Sequence, residues 1–212
     1  MTTEQETIGI AEDSDEERKH QDDFLGPQAR CLGSWLHSSF DGKTEWQVMT
    51  SVGMATDVEK SPLVEEISRA GSPLNDLYFI GMENLELWID GQLAGLCRYR
   101  NVKPDANEDA DDGALHLYVV LEAVFIRPRY HSLGFGELVS EALAEQIDAG
   151  ILTCLHKERP FKGQVGLTLF ADFNSEQGER FFDHLHDVIF KRMEAMSDSL
   201  GVSIDVETDA GY

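Results

Sequence analysis

The chain has 212 residues, of which 42% are hydrophobic and 27% charged, so it can bury the core of one ordinary domain and is not globally disordered. Acidic residues outnumber basic ones by 40 to 17, which gives a formal net charge of −23. This balance argues against binding to nucleic-acid phosphates or to anionic membranes. It is compatible with a cationic partner, although solubility alone also explains it.

The cysteine and histidine patterns bear on compartment and metal binding. Cys31, Cys97 and Cys154 are odd in number and have no CxxC spacing, which predicts free thiols in a reducing cytoplasm. His184 and His186 lie two apart on a predicted helix and do not share a face, so no metal site is predicted. We also expect no membrane span and no secretory signal, because the N-terminus is acidic and no apolar run is long enough.

The first elements are predicted from short local patterns. Residues 27–40 place apolar side chains near helical spacing, which predicts a short amphipathic helix. Residues 45–52 alternate in the manner of a strand. Ser61 and Pro62 are good first residues for a helix, and Gly71 is a good stop, so we predict a helix between them.

A hairpin and a central strand follow. Asp90-Gly91 lies between two apolar segments and favours the positive φ angles of a type I′ turn. Residues 103–113 are acidic and predict a loop, whereas residues 115–126 are apolar on both faces and predict a strand in the middle of a sheet.

The C-terminal half alternates helices and strands. Beyond Pro128, apolar residues from 135 to 147 recur at helical spacing, with glutamates on the other side. Residues 164–171 predict a strand, 176–197 a helix and 200–206 a last strand. The order of elements implies an α/β (α+β) domain with a mixed sheet. We assign it to residues 24–212, after a disordered acidic tail at residues 1–23.

The segment from Glu122 to Gly136 carries the chemistry. It reads as a buried strand, a turn, and a helix that begins at Gly134 and Gly136. Such a turn directs several backbone N–H groups to one place, at the positive end of the helix dipole, and so suits a pyrophosphate. Glycines there let a ligand approach the backbone closely. A lone Gly-x-Gly is only a weak indication, since it is also typical of a tight strand–helix turn. The sequence has neither a P-loop nor a Rossmann fingerprint.

The run Ile126-Arg-Pro-Arg-Tyr130, followed directly by His131-Ser-Leu-Gly-Phe-Gly136, resembles the acyl-CoA site of the GNAT superfamily of N-acetyltransferases. That family's pattern is V/I-x-P-x-Y/F, then R/Q-x-x-G-x-G/A and an amphipathic helix. Asn174, followed by Phe181-Phe182, is similar to a later motif of the family, in which the Asn meets the cofactor. The alternative role of Asn174 is to cap the helix that begins near Ser175. The resemblance covers roughly residues 78–206. It implies a mixed, mostly antiparallel sheet flanked by helices, and transfer of an acetyl group from acetyl-CoA to a primary amine.

The resemblance also implies site residues. Glu122 is the only acid in its strand, and we predict it as the general base, with an ion pair to Arg98 or Arg100 as the structural alternative. Tyr130 is the predicted phenol of the site, with Tyr118 as the other nearby phenol by sequence. The predicted acetyl-CoA contacts are Val124, Phe125, Ile126, His131, Ser132, Leu133, Gly134, Phe135, Gly136 and Asn174.

Three departures from the family qualify the resemblance. His131 stands where the family usually has Arg or Gln, and Phe182 stands where many members have a thiolate-protonating Tyr. A single strand follows the last helix where two are common, so the sheet edge is either open or completed by a second subunit in a homodimer. The acceptor is a small-molecule or peptide amine, with a cationic one compatible with the charge. A catalytically inactive GNAT-fold binding or regulatory protein is the alternative function.

Overall fold

The computed structural model describes residues 29–69, 78–81, 84–104, 114–157 and 163–211. The strands in these ranges are β1 (Arg30–Ser38), β2 (Glu45–Val52), β3 (Leu85–Ile89), β4 (Gln92–Pro104), β5 (Leu115–Ile126), β6 (Gln164–Asp172) and β7 (Ser203–Gly211). The helices are α1 (Asp57–Arg69), α2 (Phe135–Lys157) and α3 (Glu176–Leu200). The predicted tail and its boundary at residue 24, the stop at Gly71 and most of the predicted acidic loop lie outside the described residues.

All seven strands join one sheet in the order β1 to β7. Neighbours from β1 to β5 pair antiparallel, whereas β5–β6 and β6–β7 pair parallel. The two parallel pairs are the ones connected through α2 and α3, as parallel strands require a crossover. The predicted α/β class, with a mixed, mostly antiparallel sheet flanked by helices, is confirmed.

The helices cover both faces of the sheet. Leu143 and Ile147 of α2 and Leu185 and Ile189 of α3 belong to one buried cluster. A second cluster on the other face joins α1 to Phe79 and to apolar residues of β3, β4 and β5. Because both faces are covered, β5 is apolar on both, as its sequence indicated.

The predicted helix within residues 27–40 is wrong, because Arg30–Ser38 forms the edge strand β1. The pairing of β1 with β2 shifts register between Cys31 and Gly33, which inserts one extra residue. Leu32 and Trp35 consequently both pack against the core although they lie three apart. The bulge therefore gives the buried side chains of this strand a spacing that is typical of a helix.

The helix predicted to begin at Ser61 begins instead at Asp57. Thr56 and Glu59 form a capping box, in which the Glu59 carboxylate accepts the Thr56 N–H at 2.9 Å and the Thr56 hydroxyl accepts the Glu59 N–H at 3.4 Å. Pro62 lies inside the helix. The true start signal was this Thr-x-x-Glu pattern, which the sequence analysis overlooked.

The hairpin and the later elements lie close to where the patterns placed them. Asp90 and Gly91 have φ angles of 50° and 74°, as a type I′ turn requires. The predicted start of the last strand at residue 200 is wrong, because Leu200 is the last residue of α3. Strand β7 begins at Ser203 and extends to Gly211, beyond the predicted end at residue 206. Among the described residues β7 is the one strand after α3, in agreement with the sequence analysis.

Candidate functional site

Strand β5 contains a β-bulge at Glu122. In the β4–β5 register Arg98 pairs with Ala123 and Tyr99 with Leu121, so Glu122 has no partner in β4. The extra residue lets Leu121 and Val124 pack on the same face of the sheet. Bulges twist and re-aim a strand and are frequent beside functional sites.

Strands β5 and β6 separate just at this bulge. Their parallel pairing ends at Leu121 and Ala171, and β6 itself ends at Asp172, whereas β5 continues to Ile126 on its β4 side. Residues 122–126 thus present one backbone edge that β6 does not pair. Such an edge can hydrogen-bond an extended ligand.

A cavity of about 210 Å³ fills the gap between the two strands. Residues 121–124 of β5 line one side, residues 171–174 after β6 line the other, and Ser175 and Gly178 close it at the start of α3. A narrow chain of atoms that enters this cavity would lie along the unpaired edge of β5.

Glu122 lines the cavity and forms two ion pairs. Its carboxylate accepts from Nε of Arg98 at 3.0 Å and from Nε of Arg100 at 2.6 Å. The side chain of Glu122 is 12% exposed, as is that of Arg98, whereas Arg100 is 56% exposed. The ion pair considered as the structural alternative therefore exists, with both arginines. The predicted role as general base stays a prediction.

The turn after β5 leads directly into the N-terminus of α2. Residues 128–130 form a 3-10 turn, Ser132 has a φ of 59° and Gly134 one of 83°, and α2 begins at Phe135. The first N–H groups of a helix have no helical carbonyl partner, and the dipole there favours an anion. The turn therefore offers an anion a set of backbone donors at the end of the unpaired edge.

His131 does not extend freely from this turn. Its Nε2 lies 2.7 Å from the carbonyl oxygen of Ile126, so the ring folds back over the end of β5. This contact leaves Nδ1 as the ring nitrogen available to a ligand. It also occupies the Ile126 carbonyl, one of the strand groups predicted to contact the donor.

The side chains of Phe125, Phe135 and Tyr130 serve packing. Phe125 packs against the cluster on the α1 face, and Phe135 is 1% exposed. Tyr130 meets Phe135 edge-on at 5.7 Å and lies 4.7 Å below the Arg129 guanidinium. Tyr130 is not among the described residues that line the cavity. At position 135 only backbone groups can contact a ligand in this conformation.

Asn174 lines the cavity, and its predicted contact with the donor stays a prediction. The alternative, that Asn174 caps the following helix, is wrong, because the Ser175 hydroxyl accepts the Gly178 N–H at 3.1 Å. Phe182 is 4% exposed and packs against Phe173 at 5.3 Å. Among the described lining residues there is no tyrosine.

The sequence analysis missed His37, which lies on β1. Its ring Nε2 is 2.8 Å from the carbonyl oxygen of Leu133, inside the turn. The ring also packs against Trp46 and Phe135, with centroid distances of 6.0 and 4.9 Å. No local signal could have found this contact, since the two residues are 96 positions apart.

The described residues also bear on metal binding and on thiol reactivity. No cluster of three or more His, Cys, Asp or Glu in the described ranges is arranged to hold a metal ion. Burial raises the pKa of the Cys97 thiol to about 12, so this cysteine is protonated at neutral pH. Of the described helices, none combines the length and the apolar character needed to cross a membrane.

Comparison with known proteins gives weak likenesses. Neither a family model nor a curated protein matches the sequence. A putative arylalkylamine N-acetyltransferase 7 from the yellow fever mosquito is 10% identical with a TM-score of 0.40, covering 60% of this chain and 73% of that one. A ribosomal-protein-alanine N-acetyltransferase from Brucella melitensis biovar Abortus 2308 is 17% identical with a TM-score of 0.36, covering 65% and 90%. Neither likeness is close enough to assign a function.

Proposed function

We propose that the chain is a GNAT-type N-acetyltransferase that transfers an acetyl group from acetyl-CoA to a primary amine. One observation carries this proposal: the unpaired edge of β5 borders a cavity and runs into a helix N-terminus. This arrangement suits a ligand with a thin extended arm attached to a pyrophosphate, which is the shape of an acyl-CoA. The sequence motif that resembles the GNAT site lies on the same segment.

The residues present fit such a donor. Backbone groups of residues 122–125 would hold the pantetheine arm along the strand edge, with Val124 facing the cavity, and Ile126 could join them only if His131 released its carbonyl. The N–H groups of residues 134–136 would hold the pyrophosphate, and Asn174 would meet the arm from the opposite wall. The donor supplies the acetyl group as a thioester, and the chain supplies the geometry that brings an amine to it.

Glu122 is our candidate for the group that takes a proton from the incoming ammonium, directly or through a water. It is the one acidic side chain on the β5 wall of the cavity, and Asp172 adds a second carboxylate on the opposite wall. The two arginines fix the Glu122 carboxylate in place. Because Arg98 and Arg100 balance the charge of Glu122, Asp172 is the carboxylate at the cavity that favours an acceptor with positive charge.

The alternative function is a GNAT-fold binding or regulatory protein without catalysis. The observation that favours it is the lack of a phenol among the described lining residues, since Phe182 is buried and Tyr130 packs elsewhere. If the chain did catalyse acetyl transfer, the departing CoA thiolate would have to take its proton from water instead of from a phenol. A binding or regulatory protein would bind the donor without turning it over.

We expect the wild-type protein to bind acetyl-CoA and CoA and to release CoA thiol in the presence of an amine. Titration calorimetry measures the first step, and thiol detection with polyamines, aminoglycosides and basic peptides as acceptors measures the second. Heat of binding with no thiol release for any acceptor would favour the regulatory alternative. No heat of binding with either ligand would contradict both functions.

We expect β7 to leave the sheet edge open, without a second subunit. Asp205, Glu207 and Asp209 alternate along this edge strand, and like charges on paired strands destabilise the pairing. The protein should therefore be a monomer by light scattering at neutral pH and low salt. A dimer that dissociates when Asp205 and Glu207 are replaced by lysine would show that β7 pairs with another copy.

We also propose a cytoplasmic location, in keeping with three free cysteines.

A further inference from the structure

The inference concerns the contact between β1 and the turn that precedes α2. His37 lies on β1, an edge strand of the sheet, whereas Leu133 lies in the turn after the interior strand β5. Nε2 of His37 lies 2.8 Å from the Leu133 carbonyl oxygen. A carbonyl can only accept, so Nε2 of His37 must carry the hydrogen. The contact is therefore a hydrogen bond from a side chain of β1 to the backbone of the turn.

The ring of His37 is held in position by its neighbours. It stacks near Trp46 at an interplanar angle of 25° and tilts against Phe135 at 50°. Trp46 and Phe135 also meet each other edge-on at 5.5 Å. A Cβ at Gly134 would lie 3.5 Å from Cε1 of the ring, so the ring also borders the turn itself. These contacts hold Nε2 of His37 facing the Leu133 carbonyl oxygen.

This direction fixes a peptide group of the turn. The peptide between Leu133 and Gly134 is planar and trans, so its C=O and N–H point in opposite directions. Because the C=O points to His37, the Gly134 N–H points away from β1. Gly134 has a φ of 83° and no Cβ, so this peptide can rotate more freely than one that precedes a residue with a side chain.

We propose that His37 is a positioning residue for the binding of the donor's phosphates. It holds the Leu133 carbonyl and so keeps the Gly134 N–H directed at the anion site. This inference rests on the proposed function, since it assumes that the turn binds the pyrophosphate of an acyl-CoA. It assigns a role in donor binding to a strand at the far edge of the sheet.

The test compares two substitutions of His37. His37→Phe keeps an aromatic ring but removes the donor, and His37→Gln keeps an N–H donor without the ring. We expect His37→Phe to weaken CoA binding by roughly five- to tenfold, the effect of one neutral hydrogen bond, and to raise the KM for acetyl-CoA with little change in kcat. Pantetheine, which lacks the pyrophosphate, should bind both variants like wild type. His37→Gln should recover most of the lost CoA affinity.

Trp46→Phe is the matched control, because it loosens the same aromatic contacts and leaves the hydrogen bond in place. If Trp46→Phe weakened CoA binding as much as His37→Phe, and His37→Gln gave no recovery, packing alone would be responsible and the inference would be overturned. Unchanged CoA affinity in His37→Phe would also overturn it.

A measurement without ligand separates this inference from the proposed function. In nuclear magnetic resonance spectra, the His37 ring should carry its hydrogen on Nε2 in the wild type and in Trp46→Phe alike. If the ring signals show this while wild type does not bind CoA, the proposed function fails and the peptide orientation stands. A His37 ring with its hydrogen on Nδ1 alone would contradict the hydrogen bond itself.

Discussion

Gly136→Val is expected to abolish CoA binding and to leave the fold intact. Gly136 is the second residue of α2, and among the described residues a Cβ there would meet only Cδ2 of Phe181, at 4.0 Å. Side chains on a helix lean toward its N-terminus, so valine at this position would cover the N–H groups of the first turn. The pyrophosphate could then not approach the backbone.

The experiment measures CoA affinity by calorimetry and stability by thermal unfolding. Ala149→Val is the matched control, since it places the same side chain on an exposed position of the same helix, away from the turn. Gly136→Ala should give an intermediate loss, because one methyl group blocks less of the approach. If Gly136→Val folds and binds CoA as well as wild type does, the first turn of α2 is not part of the binding site.

Gly134, the other glycine of the motif, is less suitable for this test. Its φ of 83° lies in the left-handed region, where a β-branched residue is strained by about 1–3 kcal/mol. Gly134→Val should therefore lower the melting temperature as well as CoA affinity. A loss of binding in that variant would not separate a blocked site from a distorted turn.

Local signals predicted most of the fold correctly. The hairpin follows from Asp90-Gly91, whose positive φ angles the structure shows, and α2 follows from apolar residues at helical spacing. Strand β1 was mistaken for a helix because its bulge near Leu32 changes the spacing of the buried side chains. That spacing depends on pairing with β2, which the sequence of β1 alone does not contain.

The candidate site likewise has parts that local sequence predicts and parts that depend on tertiary contacts. The turn and the start of α2 are contiguous in sequence, so their residue pattern was sufficient to predict them. The bulge at Glu122 depends on how β4 pairs with β5, and the hydrogen bond from His37 to Leu133 spans 96 residues. Both features come from tertiary contacts, which a pattern within one segment cannot specify.

The second large effect is expected at Glu122. Glu122→Gln should lower turnover by ~10²–10⁴-fold, as expected when a general base is removed. The affinity for CoA should stay nearly unchanged. Glutamine keeps the shape but is neutral and has one side-chain oxygen, so both ion pairs to Glu122 are lost and stability should fall as well. Arg100→Met is therefore the matched control, since it breaks one ion pair at the exposed partner and keeps the carboxylate. Turnover at saturating acetyl-CoA, measured well below each variant's melting temperature, should fall far more in Glu122→Gln than in Arg100→Met. Equal losses in the two variants, or near-normal turnover in Glu122→Gln, would limit Glu122 to the ion pairs that hold the bulge of β5.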